Sequence, residues 1–92
     1  MPIGEAELDH CTEIAKEFGA TRLILFGSAL ESPGTARDID LACEGVDGWR
    51  LFELGARLEE EVGVEVDLIP LRPEERFCRY VARKGRVLYE RG

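Results

Sequence analysis

The sequence predicts an α/β (α+β) fold of two layers, a small mixed sheet covered by helices, organised as a single domain over residues 1–92. Three observations carry that expectation. Segments with apolar residues at helical spacing alternate with short segments that are continuously apolar or alternate with period two. The chain has 92 residues, enough for one compact core. Hydrophobic residues make up 45% of it and charged residues 34%, a globular balance rather than a disordered one.

Leu8, Cys11, Ile14, Ala15 and Phe18 recur at helical spacing with Gly19 as a stop, which predicts a first helix over residues 5–18. Leu23-Ile24-Leu25-Phe26 is apolar throughout, too short for a helix, and ends at Gly27-Ser28, so it reads as a buried strand. Residues 29–37 read as a short helical turn and a loop broken by Pro33-Gly34. In residues 38–43, Ile39, Leu41 and Cys43 share one face of a second strand. After a loop at 45–48, Leu51, Leu54, Gly55, Leu58 and Val62 form a helical stripe with Phe52 beside it. Asp47 is a candidate cap for that helix, and Gly63 closes it.

Val64, Val66 and Leu68 share one face of a third strand, which Pro70 stops. The last helix is punctuated by Pro73 at its first position and by Glu74 and Glu75 at the positive end of its dipole. Arg83 and Lys84 favour its negative end, with Gly85 beyond. Residues 86–89 read as an extended tail. The predicted order is helix, strand, helical turn, strand, helix, strand, helix.

The formal charge is −7, from 12 basic and 19 acidic residues, which argues against a stable nucleic-acid binder. Its placement is uneven. From Arg72 onward there are seven basic residues (Arg72, Arg76, Arg79, Arg83, Lys84, Arg86, Arg91) and three acidic ones (Glu74, Glu75, Glu90), a local +4 that leaves −11 for the first 71. Such a division suits a metal–phosphate ligand in one part and a second anion or an acidic partner in the other; a solvated helix face reads it equally well.

No apolar run approaches the ~20 residues of a membrane helix. Met1-Pro2-Ile3-Gly4-Glu5 has neither the basic start nor the apolar stretch of a secretory signal, so a cytoplasmic location is expected. Cys11, Cys43 and Cys78 stand 32 and 35 residues apart, which is no zinc spacing, and their odd count suits no disulfide framework. They are expected as small buried hydrophobes. His10, the only histidine, lies in a charged helix far from any nucleophile motif and is expected at the surface. Trp49 reads as a packing or partner anchor.

The chemistry rests on Asp38, Asp40 and Asp67. Period two puts Asp38 and Asp40 on one strand face, about 6.5–7 Å apart at Cα, with Ile39 and Leu41 turned to the core. Asp67 lies opposite Val66 and Leu68, so neighbouring second and third strands would aim three carboxylates at one pocket. Like charges ~4 Å apart repel by about 1 kcal/mol in water and ~4 kcal/mol near a protein surface. Three carboxylates together therefore call for divalent cations, and oxygen-only ligands suit Mg²⁺ or Mn²⁺. Gly27-Ser28, where a strand runs into a helical turn, would let a phosphate approach the backbone and offer it a hydroxyl. No Gly-Lys-Ser/Thr follows, so this is no Walker loop.

Gly27-Ser28, nine residues, Asp38-Ile39-Asp40-Leu41 and a downstream Asp67 together resemble the DNA polymerase β-type nucleotidyltransferase superfamily. The length, the opening helix and the closing segment from Val81 to Tyr89 look like its minimal nucleotidyltransferase (MNT) branch, and the likeness covers nearly the whole chain. The resemblance implies an antitoxin paired with a helical HEPN-type toxin. It further implies a Mg²⁺- or Mn²⁺-dependent transfer of AMP from ATP to a tyrosine hydroxyl of that toxin. By position, Gly27 and Ser28 would hold the triphosphate, Asp38 and Asp40 would bind both metals, and Asp67 would complete the metal set and help activate the acceptor.

Many members carry Arg-Gly shortly after Gly-Ser, where this chain has Glu31-Ser32, and many have Ser where this chain has Arg37. Glu31 is expected to weaken nucleotide binding, and Arg37 or a basic residue of the last helix to offset it. Two other functions compete. A weakened site would leave an antitoxin that neutralises its partner by contact, through Phe77, Tyr80 and Val81 among the arginines of the last helix. Transfer to a small molecule would need a second domain around the acceptor; the open side of the site instead favours a protein acceptor or a homodimer.

Overall fold

The computed structural model describes residues 3–32 and 34–91; Pro33 of the expected loop break lies outside them. The elements are α1 (Glu5–Glu17), β1 (Arg22–Phe26), α2 (Ser28–Glu31), β2 (Asp38–Glu44), α3 (Trp49–Val62), β3 (Glu65–Pro70), α4 (Arg76–Lys84) and β4 (Arg86–Glu90). The four strands form one mixed sheet in the order β3-β2-β1-β4. β1 pairs antiparallel with β2 and β4, while β2 and β3 run parallel, joined across α3. A parallel pair needs such a crossover, and a helix over one face supplies it.

Each strand puts alternate residues on opposite faces. On one face, Leu23, Leu25, Ile39, Leu41 and Cys43 pack with Leu8, Cys11 and Ile14 of α1 and Leu54 and Leu58 of α3. On the other, Ile24 and Ala42 meet Leu71, Cys78 and Val81, so α4 covers part of that face. This explains why residues 23–25 are apolar without alternation: the central strand β1 is covered on both sides. All three cysteines are free and buried, as expected, and burial raises the Cys11 and Cys43 thiols to about 11. His10 is exposed and lies 3.2 Å from Glu61.

The structure corrects three readings of the sequence. The residues after Gly85, expected as an extended tail, are extended but join the sheet as a fourth strand, bonded to β1 with an irregularity between Leu23 and Ile24. Gly85 permits this, because a Cβ there would press on Ile24 Cγ2 at 2.5 Å and Leu25 O at 2.8 Å. The last helix starts at Arg76, not Pro73: the Glu75 N–H donates to Arg72 O at 3.0 Å, and Glu75 is extended. Pro73 thus sits second in a tight turn, which suits its fixed φ as well as a first helical position does. Gly48, not Asp47, occupies the cap of α3, and no side chain caps it.

Val81, expected among the exposed residues of the last helix, is 1% exposed and belongs to the core beneath α4. Phe77, one helical turn before it, and the adjacent Tyr80 are each 53% exposed. No helix among the described residues is long and apolar enough to cross a membrane.

Candidate active site

The site forms where β1 ends, β2 begins and β3 runs alongside. In β2, Ile39 and Leu41 fill the core, which turns Asp38 and Asp40 to the face shared with α4. The parallel register sets Asp40 directly opposite Asp67 and Asp38 opposite Glu65. In the antiparallel register on the other side, Asp40 faces Phe26. Three of the expected residues, Asp38, Asp40 and Asp67, therefore share one patch of sheet, with adjacent strands about 4.8 Å apart.

Glu65 was not foreseen as a fourth acidic neighbour. The signal was present, since the period that places Asp67 opposite Val66 places Glu65 there too.

Gly27 and Ser28 close the patch from β1. Gly27 has φ +74°, a conformation side chains rarely adopt, and a Cβ on it would collide with the Asp40 carboxylate, coming within 2.9 Å of Cγ. Glycine here lets the turn lie directly against Asp40. The Ser28 hydroxyl donates to Asp38 Oδ1 at 3.3 Å, tying the turn to β2. Ser28 is exposed and Gly27 partly so, and Arg37 is exposed immediately before Asp38.

The electrostatics registers the crowding. The Asp40 carboxyl titrates above its ordinary value, chiefly because burial disfavours the charged form and then because Asp38 and Asp67 repel it. The Ser28 main chain pulls the other way, and Glu65 adds a smaller push. Among the described residues, no three His, Cys, Asp or Glu side chains are gathered closely enough to hold an ion as they stand. The carboxylates thus form an open row across two strands rather than a closed cage.

The donor set nonetheless fits a hard divalent cation. It is all oxygen, it carries a surplus of negative charge that Asp40 already feels, and one side of it is open. Mg²⁺ takes few carboxylates and keeps several waters, so it suits an open set better than a closed one.

The arrangement matches known folds. A toxin–antitoxin complex with AMP-PNP contains a chain that aligns with 90% of this one and over 73% of its own length, at 23% identity and a TM-score of 0.76. The complex of a tri-AMPylated Shewanella oneidensis HEPN toxin with an MNT antitoxin aligns with 94% of this chain and 71% of the matched one, at 22% identity and a TM-score of 0.73. A protein described as a candidate minimal nucleotidyltransferase matches over 88% of both chains, at 28% identity and a TM-score of 0.72. No protein-family model matches the sequence, and no curated protein does. The chain shares the fold of the minimal nucleotidyltransferases, the branch its sequence resembles.

Proposed function

We propose that this chain is a metal-dependent nucleotidyltransferase of one domain that transfers AMP from ATP to a hydroxyl, a tyrosine of a HEPN-type toxin, and so acts as an antitoxin. The observation that carries the proposal is the carboxylate row Asp38, Asp40 and Asp67 beside Gly27-Ser28. The AMP-PNP complex and the AMPylated toxin among the structural relatives support the choice of nucleotide and partner. Three free buried cysteines accord with a reducing, cytoplasmic setting.

In the transfer, the acceptor oxygen attacks the α-phosphorus in line. One P–O bond forms to the acceptor, the bond between the α-phosphorus and the bridging oxygen breaks, and pyrophosphate leaves with that oxygen. Gly27 and Ser28 hold the phosphates at the turn, where the Ser28 hydroxyl, which donates to Asp38 in the free site, turns to a phosphate oxygen, and the exposed Arg37, next to Asp38, adds positive charge. Asp38 and Asp40 would hold Mg²⁺ or Mn²⁺, which would neutralise charge on the phosphates and the leaving pyrophosphate. Asp67, exposed on the edge strand β3, orients the acceptor hydroxyl and draws its proton away.

The test is incubation of the chain and its partner toxin with labelled ATP and Mg²⁺. Label should pass to the toxin and be lost with Asp38→Asn/Asp40→Asn; full transfer by that variant refutes the reading. A second reading, neutralisation by contact alone, is favoured by Glu31, which lies beside Gly27 where a phosphate would meet it. The same variant separates the two, because a contact antitoxin still silences the toxin in cells without any AMP transfer.

A further inference from the structure

β3 is the outer strand of the sheet, so one row of its main-chain groups faces no other strand. Two hydrogen bonds show which row. The Leu71 N–H, just past the strand, donates inward to Cys43 O of β2 at 2.8 Å, whereas the Val66 N–H donates outward to Glu59 Oε2 of α3 at 2.9 Å. Period two then turns the Leu68 N–H and the Val66 and Leu68 carbonyls to the outer edge as well. Glu59 stands where the carbonyl of a neighbouring strand would stand.

Beside this edge lies a groove of 270 Å³ between α3 and β3. It falls below the range of small-ligand pockets and suits one or two side chains. Leu51, Phe52 and Leu68 give it apolar walls, and Gly55 and Ala56 leave the space between them. Phe52 is 71% exposed, and its ring is held edge-on to Trp49 at 5.7 Å between centroids. An exposed aromatic pair beside an unpaired strand edge marks a surface for another chain.

Charge decides what kind of chain. Glu59 and Asp67 line the groove, Glu59 and Glu65 line its shallower continuation past Gly63, and no basic side chain lines either stretch. A second copy paired antiparallel about a twofold axis would bring Glu65 and Asp67 of one short β3 against the same residues of the other, so like charges oppose it. The occupant called for is basic. Asp67 both lines the groove and belongs to the carboxylate row, which makes the groove continuous with the candidate site.

We propose that this edge receives the acceptor: an extended segment of the acceptor protein, with apolar and basic side chains, adds to β3 as a fifth strand. Its main chain pairs with Leu68, and its alternate side chains divide between the two faces of the sheet. Those on the α3 side enter the groove against Phe52, and the one opposite Asp67 points its hydroxyl to the carboxylate row. The inference rests on the transfer reading and adds how the acceptor is held and the pattern its segment carries.

The experiment follows the full chain with its partner toxin in two readouts, residue-resolved amide exchange in β3 and steady-state AMP transfer from labelled ATP. Binding of the toxin should slow exchange of the Leu68 N–H about tenfold or more. Phe52→Ala should raise KM for the toxin about tenfold, with the loss confined to KM, and thermal melts check that this exposed substitution leaves the fold intact. Glu59→Gln, which keeps an acceptor for the Val66 N–H, should weaken the toxin about twofold, more at low salt than at high. If the toxin binds while Leu68 exchanges as in the free chain, or if Phe52→Ala stays within twofold of the parent, the acceptor docks elsewhere, and the transfer reading stands on its labelled product. Protection of Leu68 that grows with the concentration of the chain alone makes a second copy the occupant and overturns the proposal. Protection by the toxin without labelled product keeps the docking edge and sinks the transfer reading, and a toxin that does not bind at all sinks both.

Discussion

On the sheet face covered by α1 and α3, Leu23, Leu25, Ile39, Leu41 and Cys43 are each no more than 1% exposed. On the opposite face β1 and β2 present Ile24 and Ala42 to α4, and farther along β2 presents Asp38 and Asp40, flanked by Glu65 and Asp67 of β3. Burying one large aliphatic side chain contributes about 1.5–3 kcal/mol. Crowding like charges at a protein surface costs up to ~4 kcal/mol per pair at ~4 Å. The first face therefore holds the molecule together, and the second gives back part of that stability to assemble a site. The close packing beneath α1 and α3 is what lets the carboxylate row exist without unfolding the chain.

The largest effect should come from emptying the acidic face of its charge. Asp38→Asn/Asp40→Asn should lower AMP transfer to the toxin by about 10³-fold or more, measured as labelled product, and abolish any Mg²⁺-induced rise in melting temperature. Its melting temperature without metal should not fall below the parent's, because neither carboxylate supports the core. The mirror experiment is Leu58→Ala on the apolar face. Leu58 is fully buried, so urea unfolding should show a loss of about 2–5 kcal/mol. A loss below ~1 kcal/mol would mean that this face is not where stability resides.

Gly27→Ala tests the contact between the two functions. The new methyl would collide with the Asp40 carboxylate in a backbone conformation unfavourable for alanine. A destabilisation of about 1–2 kcal/mol is expected, together with weaker ATP binding by titration.

The smallest effect concerns Asp40 alone, whose carboxyl is raised first by burial and then by Asp38 and Asp67. A raised folded pKa means that the native state binds the proton more tightly than the unfolded chain. The resulting penalty is fully present above the folded pKa and disappears as the pH falls below the ordinary 3.8. Metal-free Asp40→Asn should thus be slightly more stable than the parent at pH 7, the margin kept small by solvent screening of a partly exposed carboxyl. The difference should shrink toward pH 3.5, and saturating Mg²⁺ should reverse it. An Asn variant less stable than the metal-free parent at pH 7 would contradict the charge crowding.

Much of this site was legible because it depends on local periods. Alternation in Asp38-Ile39-Asp40-Leu41 separates core from site whatever the partner strand, and a glycine before a serine at a strand end marks a backbone that must turn. Glu65 obeys the same rule, and the parallel register sets it opposite Asp38. Two misreadings were of another kind. Pro73 fits a tight turn and a helix start equally well, and only the Glu75-to-Arg72 bond distinguishes them. Val81 follows the exposed Tyr80 in a helix full of arginines, and its burial depends on Ile24 and Ala42, nearly 40 residues or more away in the chain.

The amino-acid order alone settled which segments coil, which extend, and which side of β2 bears acid, since these follow from nearest-neighbour sterics and side-chain periodicity. Pairing across the chain settled the rest: that β3 lies parallel to β2 and sets Asp67 against Asp40, that residues 86–90 join the sheet beside β1, and that α4 stands across a groove from Gly27. These relations come from contacts between distant segments, whose energies appear only when the whole core packs at once.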